Sequence, residues 1–310
     1  MADSLTEEEF IFGSITIIGI GLIGSSLARA FKRQTGLVSH ITAMDSNLEN
    51  LNKALELQLV DSVSNDAKTA VSSADCVILC TPIGSYGEII KSISGFLKPG
   101  CIVSDVGSVK AQPIQDILPY LSENVHFVPG HPIAGTEKSG PEAGFASLFD
   151  GRYWLLTPLH GTDPKAVQKM RLLFERIGAM VEEMDVNYHD KVLAITSHLP
   201  HLIAYTIVGT ADDLEDQMQA DVIRFSASGF RDFTRIAGSN PIMWRDVFLN
   251  NREAVLEMLQ RFSEDLTLLQ RAIRWGEGDV LEGLFTRTRA IRRGVVDARQ
   301  DIPPSPDKAD

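Results

Sequence analysis

Four short stretches of this 310-residue chain carry residue types that can do chemistry together. The first is Gly19-Ile20-Gly21-Leu22-Ile23-Gly24, which follows an apolar run and opens a helical pattern. In such a turn the first glycine permits the tight bend, and the second lets a pyrophosphate approach the backbone. The third lets the helix pack close to the strand, with unpaired N–H groups at the positive helix end facing the phosphates. A GxGxxG turn alone is a weak signal; between a strand and a helix it reads as a dinucleotide site. Asp45 lies 21 residues beyond Gly24, at the end of a second β-rich run. A carboxylate there accepts hydrogen bonds from the adenosine ribose and repels a 2′-phosphate, and neither Ser46 nor Asn47 supplies a cation. NAD is the favoured cofactor, and NADP remains possible with help from a more distant cation. Thr81-Pro82, stopping the third strand-like run, belongs to the same cofactor edge.

Above a nicotinamide, something must handle the reacting hydroxyl. Ser104-Asp-Val-Gly-Ser108-Val-Lys110 and Gly130-His131-Pro-Ile-Ala-Gly135 each follow a strand directly, so both end at the carboxyl edge of the sheet, where ligands bind. His131, flanked by glycine and proline, is expected exposed in a loop as a general base, since a neutral imidazole can take a hydroxyl proton near neutral pH. Ser108 bonds that hydroxyl or orients the ring. Lys110 is expected as a solvated strand-end charge. Arg235, in an otherwise apolar turn, offers a two-pronged donor for a carboxylate. Arg231 competes with it one turn earlier, and an ion pair with Asp232 is the alternative use of Arg235. His198 and His201 stand at i and i+3 without an apparent third ligand, so no metal is expected. His189-Asp190 reads as an ordinary helix-start pair and is left outside the site.

The elements that must position these groups follow from periodicity. Up to residue 185, β-rich runs at 14–18, 40–44, 75–80, 101–104, 125–128, 153–156 and 179–184 alternate with helical patterns, which predicts an α/β fold with a Rossmann-type doubly wound parallel sheet. Beyond it the strand signals stop, and an all-helical domain is expected over 186–296. Pro200 should bend or loosen the apolar helical stretch 187–210. Phe248, Val255, Leu259, Phe262, Leu266, Leu269 and Ile273 form an a/d-like seam that fits packing within one subunit and a dimer interface equally well. Residues 297–310 read as a disordered tail.

Composition narrows the class. The net charge of −12 argues against general nucleic-acid binding, which needs basic faces. The acidic N-terminus does not read as a secretory signal, and no run reads as the roughly 18–20 apolar residues of a bilayer span, so a cytoplasmic enzyme off the membrane is expected. Cys76, Cys80 and Cys101, an odd number in apolar surroundings, fit buried reduced thiols.

Gly-Ile-Gly-Leu-Ile-Gly, Asp-Val-Gly-Ser-Val-Lys, Gly-His-Pro-Ile-Ala-Gly, Ser197-His-Leu-Pro-His201 and Asp232-Phe-Thr-Arg-Ile-Ala237, in that order, resemble the prephenate/arogenate (cyclohexadienyl) dehydrogenases of tyrosine biosynthesis. The similarity runs from about residue 14 to residue 290. It implies an oxidative decarboxylation, with hydride leaving C4 of a cyclohexadienol and the ring carboxylate departing as carbon dioxide. Carried onto this chain, it makes His131 the acceptor for the 4-hydroxyl with Ser108 beside it, and Arg235 a carboxylate anchor. His198 and His201 become contacts to the substrate side chain or the cofactor, and Trp244 an apolar wall. Prephenate versus arogenate is not readable, and with no length left for a regulatory domain, any inhibition by tyrosine acts at the active site. The rivals are a β-hydroxyacid dehydrogenase, whose lysine would have to be Lys191, and a nucleotide sensor, which needs none of His131, Ser108 and Arg235.

Overall fold

The computed structural model describes residues 10–214 and 216–297; the predicted tail falls almost wholly outside them. In chain order the first elements are β1 (Phe12–Ile18), α1 (Leu22–Arg33), β2 (Val38–Met44), α2 (Leu48–Glu56), β3 (Ser62–Ser64), α3 (Ala67–Val71) and β4 (Cys76–Leu79). Then come α4 (Tyr86–Ile93), β5 (Ile102–Asp105), α5 (Ala111–Ile117) and β6 (His126–Val128). Six strands form one sheet in the order β3-β2-β1-β4-β5-β6, every pair parallel. This is the doubly wound Rossmann arrangement. Helices cover both faces, so β1 sends Ile15 and Ile17 into one core and Ile18 into the other, and its apolar run shows no clean alternation.

The strand series does not continue into this sheet. β7 (Gly130–Pro132), β8 (Tyr153–Leu156) and β9 (Met180–Glu183), with α6 (Pro164–Arg176) before β9, make a separate three-stranded sheet. β7 runs antiparallel to β8, and β8 parallel to β9. Trp154 of β8 stacks on Phe174 of α6 at 3.7 Å between ring centroids. Sequence periodicity missed β3 and β7, each only three residues long, and it assigned β8 and β9 to the parallel sheet. His131 therefore lies in a strand, not an exposed loop, and is buried.

The rest is helical: α7 (Val186–Leu193), a π turn (Ala194–His198), α8 (Leu199–Asp212), α9 (Asp216–Phe225), α10 (Ser228–Thr234), α11 (Pro241–Asn250), α12 (Arg252–Trp275) and α13 (Gly278–Asp297). The π turn answers Pro200. A proline ring clashes with the carbonyl four residues back; here Leu199 N–H reaches the Ala194 carbonyl, five back, and the widened turn makes room. The helix is thus loosened locally rather than broken.

Contrary to the expectation that no run is apolar enough, Val186–Asp212 is long and apolar enough, by length and composition, to cross a membrane, with a mean hydropathy of 1.4. Its polar residues show how it is used instead. His189, Asp190 and His198 are buried, and Asp190 accepts from the backbone N–H groups of Lys110 and Ala111, both at 2.9 Å, at the start of α5. Up to Leu199 one face of the span lines the protein's interior, while residues 206–210 are exposed in the single chain.

Lys110, expected in solvent, is fully buried. Its ammonium pairs with the buried Asp105 carboxylate and donates to the Gly130 carbonyl at 2.6 Å. Asp105 in turn accepts from Gly107 N–H at 2.9 Å and Gly130 N–H at 3.2 Å. The pair therefore ties the end of β5 to the start of β7. Removing one partner strands the other charge, so Lys110→Met should lower the unfolding free energy in urea by about 3–5 kcal/mol. A loss within experimental error would show that Asp105 is neutralised or solvated.

Candidate active site

The glycine turn has the geometry its sequence requires. Gly19 adopts φ of +93°, and a Cβ there would meet the Cys80 backbone at 2.8 Å. A Cβ on Gly24 would lie 2.1 Å from the Gly19 carbonyl, so only glycine lets α1 approach β1. At Gly21 the same construction meets nothing within 4 Å, which leaves the helix start open toward a pyrophosphate. Ile20 is buried, while Leu22 and Ile23 pack half-buried on the core, so these three shape the turn with their side chains turned into the protein. Asp45 accepts from Ile20 N–H at 2.9 Å and from Asn47 N–H at 2.8 Å. The carboxylate is thereby fixed beside the turn, half-exposed. The nearby cation on α2, Lys53, is engaged with Glu56 and Glu142. Thr81 and Pro82 follow β4 against Gly19, with the Ser85 hydroxyl 2.8 Å from Thr81 Oγ1. These residues fit a dinucleotide with a free ribose hydroxyl.

His131 is the end of a hydrogen-bonded chain that begins at a residue read as unremarkable in sequence. Asp190 Oδ1 lies 2.8 Å from His189 Nδ1, and His189 Nε2 lies 2.9 Å from His131 Nδ1. A carboxylate accepts, so His189 carries its proton on Nδ1 and offers a lone pair at Nε2. His131 then donates from Nδ1, which leaves a bare lone pair on Nε2. The helix-start reading passed over His189 and Asp190, which the structure joins to His131. The only signal in the sequence was an adjacent His-Asp pair.

Electrostatics keep the rings neutral. Burial pushes His131 well below its usual value, and His189, Lys110 and His198 add to the effect. Burial also lowers His189, although Asp190 pulls the other way, and it takes His198 to about 4. His201 is lowered by burial as well.

Of the helical-domain residues, His201 stacks on Trp244 at 3.6 Å between centroids, and His198 meets the same indole edge-on at 6.1 Å. Trp244 is buried, and its ring wall thus includes both histidines. His201 donates from Nδ1 to the Ser197 carbonyl at 2.9 Å, so its neutral form presents an acceptor at Nε2. Ser108 is half-buried, with its backbone beside the His198 ring. Arg235 is not paired with Asp232. Its guanidinium meets Glu137, in the loop after β7, at 3.2 Å, and its side chain is 62% exposed. Asp232 instead lies 3.9 Å from the exposed Arg231. Among the described residues no group of three or more metal-ligating side chains comes together. The three cysteines are free; Cys76 and Cys101 are buried and Cys80 half-buried.

Four histidines held neutral have a cost at low pH. Their folded-state values lie below 6.5, so between 6.5 and about 4 the unfolded chain binds protons that the folded one does not. Urea midpoints should therefore fall as pH drops through that window, and His198→Gln should make the fall shallower. A flat profile from pH 6.5 to 5 would show that these rings take up protons while folded.

Comparison with known proteins agrees with this geometry. A family model described as "Prephenate dehydrogenase, nucleotide-binding domain" matches residues 27–183, and "Prephenate dehydrogenase, dimerization domain" matches residues 185–287. The chain is 40% identical over 282 residues to a cyclohexadienyl dehydrogenase of Zymomonas mobilis, covering 91% of this chain and 96% of that protein. A crystal structure of Aquifex aeolicus prephenate dehydrogenase in complex with hydroxyphenyl propionate and NAD+ superposes with a TM-score of 0.85 at 34% identity, over 94% of this chain and all of that one. A Synechocystis arogenate dehydrogenase structure gives a TM-score of 0.76 at 29% identity, over 91% of this chain and 99% of that one. The chain belongs to the prephenate dehydrogenase family and is an NAD(P)-dependent oxidoreductase of the prephenate/arogenate (cyclohexadienyl) type.

Proposed function

We propose that residues 1–185 hold NAD and residues 186–296 supply the substrate anchor and dimer face of an enzyme that converts prephenate, arogenate or both to the corresponding 4-hydroxyphenyl product in the cytoplasm. The observation that carries the assignment of the base is the Asp190–His189–His131 chain, because it leaves a lone pair on a neutral, buried imidazole. The chemistry a bound nicotinamide would supply is that of a hydride acceptor for C4 of the ring. His131 Nε2 accepts the hydrogen bond of the 4-hydroxyl, with Ser108 beside it, and so supports the positive charge that develops at C4. The electron pair of the bond to the ring carboxylate closes the aromatic ring, and carbon dioxide leaves. The hydroxyl remains in the product as a phenol, so His131 needs to steady its proton and not to keep it.

Arg235 anchors a substrate carboxylate. Its exposed pair with Glu137 is worth at most about 1 kcal/mol, so a bidentate carboxylate can replace Glu137 at little cost. His201 and His198 with Trp244 line the side-chain end, and tyrosine, sharing that end with the product, would inhibit by occupying it. Asp45 favours NAD over NADP. The seam on α12 supports a homodimer: Leu266 and Ile273 remain exposed in the single chain, as do Trp275, Phe285 and Ile291 nearby, and a second copy would cover them.

His131→Asn keeps a donor toward His189 but loses the base. Turnover should fall on the order of 10²- to 10⁴-fold with NAD affinity unchanged; a variant with near-native turnover would remove His131 from the chemistry. Initial rates with prephenate and arogenate, each crossed against NAD and NADP, should show the higher kcat/KM with NAD for whichever substrate is used. With native enzyme the acid limb of kcat/KM should lie below pH 6.5, because His131 takes up a proton only below its ordinary range.

A further inference from the structure

Asn251 sits buried at the corner between α11 and α12, seven residues beyond Trp244 and outside every group the sequence reading put in the site. Its Nδ2 lies 2.8 Å from the backbone oxygen of Asp190 and 3.1 Å from His198 Nδ1. A carbonyl oxygen only accepts, so the atom facing it must be the amide nitrogen, and the orientation of the amide is settled. The second hydrogen of the same NH2 group points at His198 Nδ1, which can accept it only without a proton. A neutral His198 therefore carries its proton on Nε2. That Nε2 is buried with no bonded partner, and the backbone acceptor that draws on the ring is that of Ser108.

We propose that Asn251 is a positioning residue for the reaction: by donating to His198 Nδ1 it fixes the Nε2–H tautomer, so that a donor rather than a lone pair faces the backbone of Ser108. In the opposite tautomer two acceptors would confront each other, and the loop between β5 and α5 that carries Ser108 would be pushed away. Asn251 thus links the helical domain to the loop between β5 and α5 through one ring. The inference rests on Ser108 and His131 as the reacting pair. The groups facing His198 are Asp190 and His189 of α7, His201 of α8, Trp244 of α11, Asn251 and the Ser108 backbone. Burial dominates among them, so the native ring stays neutral through the neutral range.

The test uses the full chain saturated with NAD and labelled with ¹⁵N-histidine. In native protein, NMR should show His198 protonated at Nε2 and bare at Nδ1. Asn251→Asp keeps the shape but replaces the donor by a carboxylate, which accepts from a protonated Nδ1. That variant should show Nδ1 protonated and a kcat lower by on the order of 10- to 100-fold, with the substrate KM and NAD affinity nearly unchanged. The acid limb of its kcat should move to higher pH, because the new carboxylate raises His198 and the ring charges earlier as pH falls. Asn251→Ala, which frees the ring without charging it, should lose less activity and keep the native limb. A native His198 protonated at Nδ1 overturns the tautomer whatever the rates show. Native kcat and pH profile in both variants, or equal losses of rate and stability in both with an unmoved profile, overturn the positioning role. Full turnover in His131→Asn would instead indict the reading of the reacting pair.

Discussion

The carboxylate of Asp190 is the interaction on which the site depends. It accepts from two backbone N–H groups at the start of α5 and from His189, three donors that together satisfy a buried charge which would otherwise be expensive. Those donors come from different parts of the molecule. Two belong to the sheet-edge loop that carries Ser108, and one begins the chain of rings that ends at His131. A single group therefore ties the helical domain to the Rossmann sheet and, through His189, sets the tautomer of His131. Asp105 and Lys110 lock the same loop from below, so Ser108 and His131 are held from both sides. The low dielectric of this region makes each bond stronger and each missing partner more damaging.

What was legible in the sequence was what local rules write. The glycine turn, Asp45 and the strands from β1 to β6 other than β3 follow from periodicity and from turn chemistry that acts over a few residues. β7 was not legible because three residues containing glycine and proline satisfy every rule for a loop; only pairing with β8, more than twenty residues later, makes them a strand. Lys110 was misjudged for a related reason. A lysine at a strand end is normally solvated, and nothing near it announces that Asp105 and the Gly130 carbonyl will enclose it. The partner of Arg235 lies 98 residues away, so a reading confined to one helical turn offered only Asp232 as the alternative to a carboxylate ligand.

His189 and Asp190 show the limit most sharply. Adjacent residues on a helix point in directions about 100° apart, so their pairing looked incidental to any shared task. They act together because α7 meets the start of α5 through Asp190 and β7 through His189, a placement that only tertiary packing decides. His198 and His201 had the opposite fate. Their spacing invited a metal reading, while the fold gives one a buried amide partner and the other a backbone carbonyl and an indole face.

The π turn at Ala194–His198 has a consequence for how this segment can change over evolutionary time. It inserts one residue into a helix without adding a turn, so it sets the rotational phase between α7, which bears His189 and Asp190, and α8, which bears His201. Regular helix over the same number of residues would swing everything that follows by about 100° about the axis. His201 would leave Trp244, and Pro200 would regain its clash. The residue count of this stretch and the widened turn are therefore tied together: a chain that keeps the extra residue must keep the π turn, and one that loses the residue must lose the turn with it and do without a proline at this place.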